Sequence, residues 1–464
     1  LTMNPTAITA RALWASIMLP CLALGCAYSD GGVGDPYVGV TPGGVQDIGY
    51  AREMVRRGQL PDATAITAEG LFSEHDLPVE GEPCASLLCL RPAFAVVPSL
   101  DGASTEYWLQ VGLASGLSHL ERPPMDLTIL IDKSASMAGD MAETNQAAIN
   151  MLRHLGVEDA VSVLTFDQQV REVHPHGPIE DLAALERDVA AIQAAGGWDM
   201  DPALERAVAV QRAAVGDAPR LRRVVVLSCG YPDAQAGSGF SALLERAAAD
   251  RIGFTFVGIL LGYNADLADA LGRTGGGSYH YVQDLESTAA LFEEGFDLRV
   301  TPLAYDLNVE LSHTGGRIAA MYGVPGVTPG EGPTKLIEIA TAFPSERSGA
   351  IALRLDAPFE GSLTLSYRAE PSFGFDDGAE QMSVSPGVSD EAQFSTAGVR
   401  KIVALSRLAE ELQAALREAL VDRVRARERL DVLSTYLTAE AEALNDPDLR
   451  VEVTFVGDIA ALIR

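Results

Sequence analysis

The chain has 464 residues and a formal net charge of −30 at pH 7, from 64 acidic and 34 basic side chains. That balance weighs against nucleic acid or an anionic membrane surface as the main partner. It suits basic proteins, cationic ligands, divalent cations or simple solubility. A hydrophobic content of 47% with 21% charged residues excludes general disorder, and the length accommodates two or three cores.

Residues 1–25 read as an export signal. Arg11 precedes the apolar run ALWASIMLPCLALG, which has the length of a secretory core segment and is too short to span a bilayer comfortably. The run ends in LALGC, Leu22 to Cys26, with Gly25 before the cysteine. This resembles a bacterial lipoprotein signal, which implies cleavage ahead of Cys26, lipid on that residue and anchorage to a membrane of the cell envelope. Ordinary secretion with cleavage nearby is the alternative. Residues 26–82 form a spacer and N-terminal segment that opens with AYSDGGVGDPYVGVTPGG, a stretch without an apolar period. Cys84 and Cys89 in PCASLLCL are close enough to staple a loop in an oxidising compartment. Without a neighbouring histidine they make a poor zinc site.

Residues 83–124 supply the strands AFAVVPSL and STEYWLQVGLAS. From 125 to 299 the pattern alternates apolar strands with amphipathic helices. The strands are LTILI (127–131), AVSVLTF (160–166), VREVH (170–174), RRVVVLS (222–228), GFTFVGILL (253–261) and SYHYV (278–282). Helical stretches include AETNQAAINMLRHL, DPALERAVAVQRAA, FSALLERAAAD and STAALFEEGF. In the second of these, Leu204, Ala207, Val208 and Gln211 recur at helical spacing behind Asp201 and Pro202. Near-continuous apolar strands separated by helices imply a mostly parallel, doubly wound α/β sheet covered on both faces. The close succession of VSVLTF and VREVH implies one antiparallel edge hairpin.

Residues 300–395 return to strands separated by turn residues, in YDLNVELSH, TKLIEIATAF, GAIALRLDA and GSLTLSYRAE. The economical arrangement is a β-sandwich built from both flanks, with the α/β unit inserted. Residues 396–464 form a helical C-terminal region, helical from Gly398 to about Asn445 with Leu and Val at three-and-four spacing, that packs on the sandwich. The closing LRVEVTFVGDIAALI reads as one strand and a short helix.

Ligands of a wound sheet bind beyond the carboxyl ends of its strands. Three loops meet that condition: 132–137, 196–201 and 228–233. In the first, Asp132, Ser134 and Ser136 offer a carboxylate and two hydroxyls at alternate positions, a pattern suited to a hard cation such as Mg2+. The loop lacks the glycine and lysine pattern of a phosphate-binding loop and the glycine fingerprint of dinucleotide binding.

The segment LTILIDKSASM resembles the D-x-S-x-S segment of the von Willebrand factor type A domain. LGVEDAVSVLTFDQQVREVHP, AAGGWDMDPALERAVAV, RRVVVLSCGYPD and DRIGFTFVGILLGYNADLADALGRTGGGSYHYVQD follow that family's order of elements. The flanking strands resemble the split sandwich of secreted bacterial members and of inter-alpha-trypsin-inhibitor-like proteins. The resemblance implies a metal-ion-dependent adhesion site in which Asp132, Ser134 and Ser136 are ligands. It also implies a threonine in the second loop and an aspartate in the third. Here Trp198 and Cys229 stand at those positions. Asp199, Asp201 and Asp233 lie on the altered loops and could restore a carboxylate by a register shift.

The expected metal is therefore Mg2+ or Mn2+ at a degenerate site, or none. No catalytic constellation accompanies it: Cys229 lacks a neighbouring base, and His174 and His176 sit on or after the edge hairpin. The function expected is an envelope-anchored module that binds or scaffolds a protein partner through the type A face. The alternatives are a structural envelope protein with a vestigial metal site and a chaperone or metal-chelatase-type accessory subunit.

Overall fold

A computed structural model describes residues 48–463 apart from 118, 215–219, 231, 233–237, 260–264, 283–291, 294, 324–332, 346 and 386–392. Residues 1–25, where an export signal is expected, and Cys26, Asp233 and most of STAALFEEGF lie outside the described residues. Among the described residues no helix is long and apolar enough to cross a membrane.

The N-terminal segment is more than a spacer. It forms helices Gly49–Arg56 and Ala68–Glu74, the second capped by Thr67, whose hydroxyl accepts the Gly70 N–H at 3.1 Å. Strands β1 (Leu88–Pro98) and β2 (Thr105–Ser115) follow as an antiparallel hairpin. Cys84 and Cys89, at its entry, are joined by a disulfide with Cα atoms 6.0 Å apart.

The inserted unit comprises β3 (Met125–Asp132), β4 (Ala160–Phe166), β5 (Val170–Gly177), β6 (Leu221–Ser228), β7 (Ile252–Ile259) and β8 (Ser278–Val282). Their order in the sheet is β5-β4-β3-β6-β7-β8, parallel throughout except for β5. Every residue of β3 is buried because both faces are covered. Helices Met141–Arg153 and Leu182–Ala190 shield one face, while Asp201–Ala213, Gly239–Ala249 and Ala265–Gly272 shield the other. The chain runs outward from β3 to β4 and then crosses to β6 on the opposite side. The crevice between the ends of β3 and β6 is thus the topological switch point. His174 and His176 lie within β5 and not in a turn, and His176 Nε2 is 3.3 Å from Asp126 Oδ1.

The remaining strands are β9 (Ala304–Gly315), β10 (Ile318–Tyr322), β11 (Thr334–Ala342), β12 (Ala350–Leu355), β13 (Phe359–Ala369), β14 (Gly378–Val384) and β15 (Gln393–Phe394). They complete two antiparallel sheets, β10-β12-β2-β1-β15 and β11-β9-β13-β14. Leu109, Val111, Leu113 and Leu353 of the first meet Leu307, Val309, Leu311 and Leu363 of the second in one core. The first sheet's other face, with Ala93, Ala95, Val97 and Trp108, packs under helix Ala397–Glu418. β2 is therefore buried on both sides without being a parallel strand. Arg407, on that helix, donates to Glu106 Oε2 at 2.7 Å and to the Pro98 carbonyl at 2.6 Å, fixing the helix across the sheet.

The expected closing strand is not formed. Residues Pro447–Leu462 are one helix, after helix Arg423–Leu444. The alternation in VEVTF suggests a strand, but Leu449, Glu452, Phe455, Val456 and Ile459 are the buried positions, and they share one helical face. Pro447 opens the helix, and the Asp446 carboxylate caps it by accepting the N–H groups of Asp448 and Leu449 at 2.9 and 3.1 Å. Glu452 is buried within the face because Arg52 donates to it at 2.6 Å and His75 Nε2 lies 3.0 Å away. Those partners come from the N-terminal helices, about four hundred residues earlier in the sequence.

Candidate functional site

Asp132 ends β3 at the switch point and is fully buried. Both of its oxygens are engaged within the protein. Oδ1 accepts the Ser134 N–H at 2.8 Å, and Oδ2 accepts the Ser228 hydroxyl at 2.6 Å. Ser228 Oγ in turn accepts the Gly230 N–H at 2.9 Å. The Ser134 and Ser136 hydroxyls lie 2.8 Å apart, and Cys229 Sγ approaches Ser136 Oγ at 3.2 Å. The loops after β3 and β6 are laced together by side chains alone.

The middle loop joins them through backbone and indole. Ala195 N–H donates to the Lys133 carbonyl at 2.7 Å, and Ala135 N–H to the Gly196 carbonyl at 3.1 Å. Trp198 lies across Gly230: a Cβ on that glycine would sit 2.7 Å from the indole Nε1. Trp198 is nonetheless 42% exposed, so part of the residue stays open to solvent. Asp199 and Asp201 are exposed and do not join Asp132; the Asp199 N–H donates instead to the Asp167 carbonyl at 2.8 Å.

Asp167 is the residue that sequence reasoning missed. It follows β4 directly, and its carboxylate takes the Lys133 ammonium. That contact holds the Asp167 carboxyl below the usual carboxylate range, assisted by the Gln169 N–H at 2.8 Å. Its position past the carboxyl end of the neighbouring strand was the available signal. The lysine of the motif loop therefore turns to the loop that follows β4. Burial pushes the Cys229 thiol above its ordinary value, and the nearby Asp132 and Asp140 charges add to that.

The donor set among the described residues does not fit Mg2+ or Mn2+. Such ions require near-octahedral oxygen and surrender hydration water reluctantly. The rim offers one carboxylate already holding two donors, two mutually bonded hydroxyls, a soft thiol and an indole with no lone pair to give. Among the described residues no group of three or more His, Cys, Asp or Glu side chains is placed to hold a metal.

The model of a von Willebrand factor type A domain matches residues 125–281. The inserted unit is a type A domain. An uncharacterised protein of Synechocystis sp. is 26% identical over 179 residues, 38% of this chain. The match spans 42% of that protein, less than half its length. Among solved structures, a von Willebrand factor type A protein from Catenulispora acidiphila is 14% identical, with 80% of this chain and 91% of that one covered and a TM-score of 0.46. The ArnB paralog VWA2 from Sulfolobus acidocaldarius is 13% identical, covering 82% and 98%, with a TM-score of 0.38. Proximal thread matrix protein 1 of the mussel byssus, solved with zinc in its adhesion motif, is 12% identical over 40% of this chain and 50% of its own, at a TM-score of 0.34. Type A domains often mediate protein interaction or adhesion.

Proposed function

We propose that the protein is an envelope-anchored module that binds or scaffolds another protein through the rim of its type A domain, without catalysis and without a bridging cation. The observation that carries this reading is Trp198. A half-exposed indole, fixed over Gly230 and backed by a bonded network, is a preorganised anchor of the kind that dominates protein interfaces. Where the resemblance puts an ion between domain and partner, this chain puts an aromatic face. The net charge of −30 favours a basic partner surface.

Site-specific photo-crosslinking in the native envelope tests the reading. A crosslinking amino acid at position 198 is expected to capture one discrete protein, and the same group at exposed Val157 is not. Capture is expected to persist in chelator and to disappear when the neighbouring Asp132 network is opened by Asp132→Ala. No adduct at 198, or equal adducts at both positions, overturns it. Anchorage is tested separately: Cys26→Ser is expected to move the protein from the membrane to the soluble fraction. Unchanged fractionation would remove the lipid from the proposal while leaving the rim.

A further inference from the structure

The opposite end of the type A sheet carries a different chemistry. A cavity of about 670 Å3 opens where the amino ends of β3, β6 and β7 face the sandwich residues Tyr305, Asp306, Arg368 and Glu370. Five arginines line it, at 220, 222, 223, 251 and 368, in a chain with 64 acids and 34 bases. Four acids also line it, and each is already committed. Asp126 receives Arg220 Nε at 3.0 Å, and Asp306 receives Arg368 Nε at 2.6 Å. Glu370 takes the Tyr305 hydroxyl at 2.8 Å, and Asp377 takes the Ala369 N–H at 3.0 Å.

Arg222, Arg223 and Arg251 have no carboxylate partner among the described residues. Arg223 is the decisive member, since it is 1% exposed. Its guanidinium donates only to neutral oxygens: Thr255 Oγ at 3.0 Å, the Gly276 carbonyl at 2.6 Å and Ser278 Oγ at 3.1 Å. The Phe343 ring lies 4.9 Å from it. The backbone is shaped to admit the group: a Cβ on Gly253 would fall 2.2 Å from Nη1, and Gly276 adopts φ +79°. Buried cations are ordinarily paired, because desolvating an unpaired charge is costly. Arg222, half-buried, and Arg251, exposed, add positive charge at the opening of the same cavity. Planar guanidinium forks are matched geometrically to phosphate oxygens, and the volume suits a small molecule.

We propose that this cavity binds a small oxyanion of the phosphate class, as free phosphate or as the phosphoryl group of a small molecule, through Arg222, Arg223 and Arg251. The site lies at the far end of the sheet from Trp198 and is independent of the partner-binding rim.

Titration calorimetry and thermal melting of the full chain, in chloride buffers of matched ionic strength, test this with inorganic phosphate and with glycerol 3-phosphate as probes. Saturable heat and a raised thermal midpoint are expected with at least one probe, because a ligand of the native state alone must stabilise it. Tighter binding of glycerol 3-phosphate identifies a phosphorylated small molecule as the source; equal binding identifies free phosphate. The double variant Arg222→Gln/Arg251→Gln, at half-buried and exposed positions, is expected to melt as the parent without ligand and to bind about tenfold more weakly. Arg223→Lys, which keeps the charge and loses the fork, is a second route to the same loss. No saturable heat with either probe, or binding unchanged in the double variant, overturns the proposal.

Discussion

The two ends of the type A sheet solve opposite charge problems. At the carboxyl end, a carboxylate that would face an ion is closed off by its own neighbours: Asp132 spends both oxygens on Ser134 and Ser228, and Lys133 turns to Asp167. At the amino end, some charges are paired with equal thoroughness. Arg122 forks onto Asp159 at 3.0 and 2.6 Å, and the same carboxylate accepts the Met125 and Gly156 N–H groups at 2.8 and 2.7 Å. At the same end of the sheet, Arg222, Arg223 and Arg251 line a cavity without a carboxylate partner among the described residues. A motif resemblance directs attention to the first end. The unpartnered guanidinium groups mark the second.

Substitutions can break or sharpen this contrast. The largest effect is expected at the paired amino end. Asp159→Ala removes the forked acceptor of Arg122, which keeps Asp297 at 2.7 Å, and leaves the buried Met125 N–H and the more accessible Gly156 N–H without their acceptor, so it should cost about 3 kcal/mol in denaturant unfolding; a loss under about 1 kcal/mol would show the pair to be incidental. The pH dependence follows from the same contacts. Burial raises the Asp159 carboxyl, but the Arg122 guanidinium and the backbone N–H groups outweigh it and hold the carboxyl below the usual carboxylate range. A depressed folded value means stabilisation present above the unfolded value and lost as pH falls through the folded one. The gap between parent and Asp159→Ala should therefore be full near neutrality and shrink below about pH 4. A gap that widens in acid would reverse the sign.

A smaller loss is expected at the rim. Asp132→Ala leaves the Ser134 N–H and Ser228 hydroxyl without their acceptor, yet it also removes a buried carboxylate that no lysine or arginine among the described residues contacts. These oppose, and about 2 kcal/mol should remain. The smallest expected change is the response to metal. Millimolar Mg2+, Mn2+ or chelator should move the thermal midpoint by less than about 1 °C, since a cation that does not bind the native state cannot stabilise it. A larger shift, abolished by Asp132→Ala, would reinstate the cation at this site.

Much of this architecture was legible in the chain. The apolar strands alternating with amphipathic helices from 125 onward announced a wound sheet, because burial on both faces leaves a nearly unbroken apolar run. The motif serines, Trp198 and Cys229 could be placed on neighbouring loops for the same reason: parallel strands deliver successive loops to one rim. The final helix was misread from VEVTF because alternation describes a strand only when the alternate residues share an environment. Here Glu452 is buried with Arg52 and His75, and Val451 is exposed.

The sequence by itself determined the local periodicities, and through them the type A domain, the flanking strands and the loops that reach its rim. Only the tertiary structure decided which charges find partners. Lys133 meets Asp167, Arg122 meets Asp159, and Arg223 meets neutral oxygens alone. Periodicity is set by neighbours a few residues apart, whereas the compensation of a buried charge depends on groups brought together from distant parts of the chain.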